Sequence, residues 1–185
     1  SRALKKLSPK TWLWLIIALG LLARLLAVFI MGDTVEVLPG IFDQVSYHTL
    51  ATRLLGGHGF TFDTQWWPVT RAGEPTAHWS YIYTFYLTAV YALAGIHPIV
   101  ARLLQTLLVG MLMPVLAFRL ASRLSSSTAS SEPLTPAPFP LNPLLAAAWT
   151  AFYPYFIYYS AALMTEMFYI TLILWSLDLA ITIAH

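Results

Sequence analysis

The sequence predicts an all-α integral membrane protein, with about four transmembrane helices and a long external first loop containing juxtamembrane helices. Of its 185 residues, 58% are hydrophobic and only 10% are charged, and the mean hydropathy is +0.69. A soluble domain carries about 25% charged residues, so most of this chain belongs in lipid. The net charge of +2 is too small and too scattered to indicate a nucleic-acid partner. The chain has no cysteine, which excludes disulfides and thiolate metal sites.

Four apolar runs approach the roughly 20 residues that a bilayer-spanning helix needs. We predict spans at 12–31, 99–120, 143–162 and 164–184, all within a single membrane domain, 1–185. The first run is too long for a signal-peptide core and lacks a clear small-residue cleavage site, so it is predicted to be a retained anchor. The last two runs are almost contiguous, which predicts a helical hairpin with Thr165 and Glu166 at its turn.

The segment 79–95 decides the orientation, because it is at the lower length limit for a span and rich in Trp and Tyr. Basic residues favour the cytoplasmic side in short loops. They occur before the first span and after the second: Arg2, Lys5, Lys6, Arg119 and Arg123. Both groups are cytoplasmic if 79–95 does not cross the membrane but lies in the interface or re-enters. If 79–95 crossed, Arg119 and Arg123 would face outward, and Asp43 and Glu166 would lie on opposite sides. We therefore predict a multi-pass plasma-membrane protein with a cytoplasmic N-terminus, an external region 32–98 and a Ser/Thr/Pro-rich cytoplasmic linker 122–142.

The external region holds five of the eight acidic residues of the chain. Within it, 43–55 is predicted to be a helix, because Pro39-Gly40 precede it and Gly56-Gly57 follow it. Asp43 stands where a helix cap would stand, so one interpretation is a carboxylate that accepts backbone N–H bonds. A capped carboxylate is held rigidly and can still contact a substrate, so capping and a functional role remain compatible.

Other polar side chains lie near the predicted membrane surface. Arg71 and His78 occur in an aromatic stretch, 66–83, whose Trp residues are typical of interfacial anchors, although an Arg there could also bind a lipid-linked phosphate. Arg24, inside the first span, is expected either to snorkel or pair, or to bind phosphate. One interpretation of Glu166 is a hairpin-turn acid in the headgroup region. The other is a functional residue, because a charge near lipid is costly unless it is paired or lines a wet cavity.

The histidines of the external region show no metal-ligand spacing, so no metal site is predicted from them. Residue spacing does not show whether Asp and Glu side chains bind a metal ion. The sequence therefore indicates no certain cofactor and leaves a divalent metal open.

The order of several motifs resembles the GT-C superfamily of polytopic glycosyltransferases, in the branch of the protein O-mannosyltransferases and aminoarabinose lipid A transferases. The resemblance runs from about residue 12 to 185 and corresponds to the N-terminal part of a usual member. The motifs are D-x-x-x-Y-x-x-x-A from Asp43, L-x-x-G-x-G-F from Leu54, PTAHWSYIY from Pro75, ARLLQ from Ala101 and P-x-x-x-Y-Y-S-x-x-x-x-T-E from Pro154. Asp43-Gln44 stands where many members have two adjacent acids, and His78-Trp79-Ser80-Tyr81 replaces a Pro-Gly-Tyr-Pro-like or Lys-Pro sequence.

The resemblance implies a donor sugar carried on a polyprenyl phosphate, with the lipid bilayer as a partner. It implies that Asp43 is the general base and that Glu166 shapes the site or binds acceptor or metal. The substrate-binding residues predicted beside them are Tyr47, Arg71, His78 and Arg24, with the donor phosphate at Arg71 or Arg24.

Two functional hypotheses follow. The first is a membrane glycosyltransferase, or its N-terminal module, that transfers sugar to an external acceptor. The second is a non-catalytic GT-C-derived subunit of a larger complex of membrane proteins. A transporter has little support, because no span carries the ordered ionisable residues of a relay.

Overall fold

The computed structural model describes residues 8–39, 41–66, 68, 70–130 and 142–184. These residues form helices and isolated β-bridges, with no strand among them. The helices are α1 (Pro9–Met31), α2 (Asp43–Leu55), α3 (Tyr81–Ala94), α4 (Pro98–Ser130), α5 (Pro143–Phe152), α6 (Pro154–Ala161) and α7 (Glu166–Ala184). The predicted all-α class is confirmed for the described part of the chain.

Three helices of the described chain are long and apolar enough to cross a membrane: α1, α4 over Pro98–Ser125, and α7. Their length and composition agree with an α-helical membrane protein. Helix α3 is apolar but has only 14 residues, about 21 Å at 1.5 Å per residue. That is short of the roughly 30 Å hydrocarbon core, so its length suits the predicted interfacial position.

The predicted span 143–162 is wrong as a single helix. It divides into α5 and α6 at Tyr153, whose φ of −61° and ψ of 121° are extended. The cause is Pro154, which lacks an N–H and disfavours helical geometry in the preceding residue. Neither half is long enough to span by itself, so neither α5 nor α6 is among the three helices of the described chain that are long and apolar enough to cross a membrane.

The predicted linker 122–142 begins as helix, because α4 continues to Ser130. Ser122 donates to the carbonyl of Phe118 at 2.8 Å and Ser125 to that of Ala121 at 2.8 Å. These bonds to the preceding turn are compatible with a helix, and this part of α4 also contacts α7. Residues 131–141 of the predicted linker lie outside the described residues.

Helices α1, α4, α5 and α6 pack against one another, and α7 packs mainly on α4. Helices α2 and α3 pair beside this group around a buried aromatic cluster that includes Tyr47, Leu50, Leu87 and Tyr91. The predicted helix 43–55 has the bounds of α2. This pairing holds the start of α2 near the connection between α6 and α7, where a cavity opens.

Candidate functional site

A cavity of about 860 Å³ lies between the start of α2, the connection from α2 to α3, and the connection from α6 to α7. It brings together the two acids that the sequence singled out, Asp43 and Glu166. The lining residues are Ile41, Phe42, Asp43, Ser46, Trp66, His78, Trp79, Tyr159, Met164 and Glu166. The cavity therefore combines two carboxylates with an aromatic wall.

Both acids begin helices, since Asp43 is the first residue of α2 and Glu166 the first of α7. The N-terminus of a helix carries partial positive charge, which favours a carboxylate there. The predicted cap at Asp43 is not formed: Phe42 occupies the N-cap position, and the Asp43 carboxylate accepts no hydrogen bond from the described residues. Asp43 is exposed, so its carboxylate is free to receive a proton or a hydrogen bond from a ligand.

Glu166 is half-buried, and its Oε2 is a buried oxygen with no hydrogen-bond partner among the described residues. A buried carboxylate oxygen without a partner is unfavourable. A ligand hydroxyl in the cavity could donate to this oxygen and remove that cost. Glu166 is thus suited to bind a polar group from the ligand.

Tyr47, predicted to bind substrate, lies one turn after Asp43 on α2 and is not among the residues that line the cavity. Its phenol oxygen accepts the backbone N–H of Ser80 at 3.3 Å. Burial raises the pKa of Tyr47; hydrogen bonds with Ser80 and Thr165 oppose the rise, and the negative charges of Asp43 and Glu166 add to it. Tyr47 therefore stays a neutral phenol and is close enough to both carboxylates to sense their charge.

The aromatic wall is fixed by its own contacts. The indole N–H of Trp66 donates to the hydroxyl of Ser46 at 2.8 Å, and the Trp66 ring stacks on Phe62 with centroids 5.0 Å apart. Trp79 packs edge-on against Phe62 at 5.0 Å and against His78 at 4.7 Å. His78 is itself exposed and lines the cavity, as its predicted substrate-binding role requires.

The two arginines predicted to bind donor phosphate lie elsewhere. Arg24 is fully buried and donates to the carbonyls of Thr150, at 2.6 Å, and Ala151. Arg71 is exposed and sits 3.7 Å from Glu74 in a surface ion pair. Neither lines the cavity, and the lining within the described chain contains no Lys or Arg.

The contacts of Arg24 have a physical reason. In a continuous helix the carbonyl of Thr150 would accept the N–H of residue 154, which is proline and has none. Arg24 supplies the missing donor, and it reaches the α5 carbonyls because Gly20 lets α1 approach closely. A Cβ at Gly20 would lie 2.8 Å from the Cβ of Ala151. Arg24 thus joins α1 to the end of α5.

A polar stripe on α4, which sequence reasoning did not assign, positions both acids. Arg102 donates to the carbonyls of Gly32 and Thr34 at 2.6 and 2.9 Å, and to the side-chain oxygen of Gln44 at 3.3 Å. Since Gln44 follows Asp43, these bonds fix the start of α2 relative to α4.

The second part of the stripe holds the segment before Glu166. The buried Gln105 donates to the carbonyls of Ser160 and Ala162 at 3.0 and 2.8 Å and accepts the hydroxyl of Tyr83 at 2.6 Å. The buried Thr106 donates to the Ser160 carbonyl at 2.8 Å. The signal in the sequence was the i, i+3, i+4 spacing of Arg102, Gln105 and Thr106, which places three polar residues on one face of an apolar helix.

The described residues contain no group of three or more His, Asp or Glu side chains close enough to hold a metal ion. Asp43 and Glu166 could supply two oxygen ligands, with further ligands coming from water or substrate, as magnesium sites often use. A divalent metal therefore stays the open alternative that the sequence left.

The described chain is thus an all-helical protein with three candidate membrane spans and a cavity holding two acids and several aromatic side chains. Comparison of the chain with protein-family models, with curated proteins and with solved structures finds no match.

Proposed function

We propose that the chain is a membrane glycosyltransferase, or the N-terminal module of one, that transfers a sugar from a polyprenyl phosphate to an external acceptor. The observation that carries the proposal is that Asp43 and Glu166, far apart in sequence, line one cavity with Trp66, Trp79 and His78. Acids that face a common cavity are suited to general-base chemistry and to binding hydroxyl groups.

In the proposed reaction, Asp43 removes the proton from the acceptor hydroxyl as its oxygen attacks the anomeric carbon. The new bond joins that oxygen to the anomeric carbon. The bond from the anomeric carbon to the phosphate oxygen breaks, and its electron pair leaves with the polyprenyl phosphate. A base must come within about 3 Å of the acceptor oxygen, and the exposed carboxylate of Asp43 has no described hydrogen bond to lose on doing so.

The remaining wall suits a sugar. Glu166 would accept a sugar or acceptor hydroxyl at its unpartnered Oε2. The half-buried ring of Trp66 offers apolar surface to the C–H face of a sugar ring.

A second feature supports a lipid-linked donor. An apolar groove of about 360 Å³ lies between α3 and α7. It begins at Ser80 and Thr165, which are chain neighbours of the cavity residues Trp79 and Glu166, and it continues along Phe168 and Leu172. A polyprenyl chain in this groove would leave its phosphate and sugar near the cavity.

A non-catalytic subunit of a larger membrane complex is the second candidate, and one observation favours it. A phosphate leaving group is best stabilised by cationic donors, but the described cavity lining has no Lys or Arg. The guanidinium of Arg24, predicted for this purpose, is already hydrogen-bonded to α5.

Sugar transfer from a polyprenyl-phosphate donor by the full-length protein separates the two candidates. For an enzyme, Asp43→Asn should lower turnover about a hundredfold or more, in keeping with loss of a general base. Asp63→Asn is the matched control, because Asp63 is an exposed acid of the same region outside the cavity lining. Equal turnover in both variants would remove the assignment of Asp43, and an inactive wild-type protein with intact donor binding would favour the subunit.

A further inference from the structure

A second charged cluster lies on α4 and α7, far from the cavity. Arg119 and Arg123 pair with Asp178, at 2.8 Å to Oδ2 and 3.3 Å to Oδ1 respectively. The shorter contact is a close ion pair, whereas Oδ1 makes no aligned hydrogen bond. Asp178 is twelve positions beyond Glu166 on the same helix, about 18 Å away at 1.5 Å per residue. The cluster is therefore distinct from the candidate active site.

Among the described residues, the cluster carries one positive charge that no acid neutralises. Two guanidinium groups face one carboxylate, and the remaining charged residues described on α4 and α7 are Arg102 and Glu166, which lie toward the cavity end. Asp178 is only 2% exposed, whereas the side chains of Arg119 and Arg123 are 49% and 29% exposed. The acid is buried between the helices, and the unneutralised charge is therefore presented on the outer surface.

The position of the cluster along α4 points to the membrane surface. The apolar run of α4 ends at Leu120, and polar residues follow it from Ser122, so Arg119 and Arg123 lie about 2 Å before and 5 Å after that end at 1.5 Å per residue. Arginine side chains near a helix end extend toward the headgroup layer. Trp175, one turn before Asp178 and half exposed, is typical of the same layer.

We propose that Arg119 and Arg123 bind the phosphate of an anionic phospholipid headgroup through the positive charge that Asp178 leaves unneutralised. A planar guanidinium matches phosphate geometry with two parallel N–H donors. Arg123 already donates from Nη1 to the carbonyl of Asp178 at 2.8 Å and to the Thr182 hydroxyl, so its orientation is fixed before a lipid arrives. Basic pockets between membrane helices bind anionic headgroups in this way. The site is independent of the proposed glycosyltransferase function.

Thermal unfolding of the full chain in neutral detergent tests the site. The additives are phosphatidylglycerol, phosphatidylcholine with the same acyl chains, and inorganic phosphate. Phosphatidylglycerol should raise the unfolding midpoint more than the other two, because a bound ligand stabilises the folded state. Equal shifts from both lipids, or from inorganic phosphate at the same concentration, would overturn the headgroup assignment.

Two variants move the effect in opposite directions. Arg119→Gln leaves the pair of Arg123 and Asp178 in place. It should lower the affinity for phosphatidylglycerol, measured by titration, about tenfold, which is the loss expected for a charge-assisted hydrogen bond. Asp178→Asn removes the carboxylate that competes with the lipid phosphate for the two guanidinium groups, and it should raise the affinity for phosphatidylglycerol. If Arg119→Gln fails to fold, Arg119→Lys retains the charge and loses the planar fork, and it too should weaken binding. Arg53→Gln is the control, because the Arg53 guanidinium donates to Thr61 and belongs to α2, and it should leave the affinity for phosphatidylglycerol unchanged. An unchanged titration in the Arg119 variant, or a weaker one in Asp178→Asn, contradicts the proposal.

Discussion

Asp43 and Glu166 are each the first residue of a helix, and both line one cavity. The positive ends of α2 and α7 therefore both lie at the wall where the two carboxylates sit. Helix dipoles stabilise charged carboxylates at such positions. The arrangement permits two acids to share a cavity in which the described lining contains no Lys or Arg.

The shared cavity predicts that positions 43 and 166 are reached from the same side of the membrane. The chain has no cysteine, so each of the single variants Asp43→Cys, Glu166→Cys and Lys10→Cys carries one thiol that reports on its own position. A membrane-impermeant thiol reagent should label Asp43→Cys and Glu166→Cys from the same side. Lys10 is exposed near the opposite end of α1, and Lys10→Cys should be labelled from the other side. Labelling of the variants at positions 43 and 166 from opposite sides would contradict a common site.

Gln105 is predicted to be important for the stability of the segment that carries Glu166. Gln105→Leu leaves the buried carbonyls of Ser160 and Ala162 and the hydroxyl of Tyr83 without this partner. An unsatisfied buried polar group costs about 1–3 kcal/mol, so we expect a loss of about 3 kcal/mol in the free energy of unfolding, measured in detergent micelles. Gln65→Leu, at an exposed position, is the matched control. Similar stability of the two variants would show that Gln105 does not hold this segment.

Arg24 and Pro154 are predicted to be energetically coupled, because Arg24 donates to the Thr150 carbonyl that Pro154 leaves free. Arg24→Met should cost about 3 kcal/mol, since two helix-end carbonyls lose a charged donor. Pro154→Ala restores an N–H that can reach Thr150. The double variant should therefore be more stable than the sum of the single effects by about 1 kcal/mol, as a double-mutant cycle would measure. Strict additivity would mean that Arg24 does not replace the missing bond.

The sequence was sufficient for α2, because its Pro-Gly and Gly-Gly boundaries act locally. It also contained Pro154, but the apolar length of 143–162 outweighed that break in the prediction. The role of Arg24 could not be predicted, because its partners on α5 are chosen by the packing of helices distant in sequence. The same holds for the site: the sequence singled out Asp43 and Glu166 separately, whereas their meeting in one cavity depends on how α4 holds the α6–α7 connection.

The junction between α1 and α4 should depend on pH through Asp33. Its carboxylate accepts the backbone N–H of Ile99 at 3.0 Å and contacts Nδ1 of His97 at 2.7 Å. Partial burial acts to raise the pKa of Asp33, but the Ile99 N–H and His97, helped by the charge of Arg102, outweigh it and leave the pKa below its usual 3.8. A carboxyl group with a lower pKa in the folded than in the unfolded chain binds fewer protons when folded. Its stabilising effect is therefore complete well above pH 3.8 and is lost as the pH falls from there through the folded-state pKa.

The asparagine side chain of the Asp33→Asn variant cannot ionise, so this variant should lack the pH-dependent part of the stability that Asp33 provides. The difference between the unfolding midpoints of wild type and Asp33→Asn is expected to be largest near about pH 6 and to shrink as the pH falls below about 4. Because the Asp33 side chain is 43% exposed, solvent screening keeps the effect small. Asp63→Asn, an exposed acid without a described hydrogen bond, controls for the loss of one charge. A difference between wild type and Asp33→Asn that stays constant from about pH 6 to about pH 3 would show that the Asp33 carboxylate does not stabilise this junction through its charge.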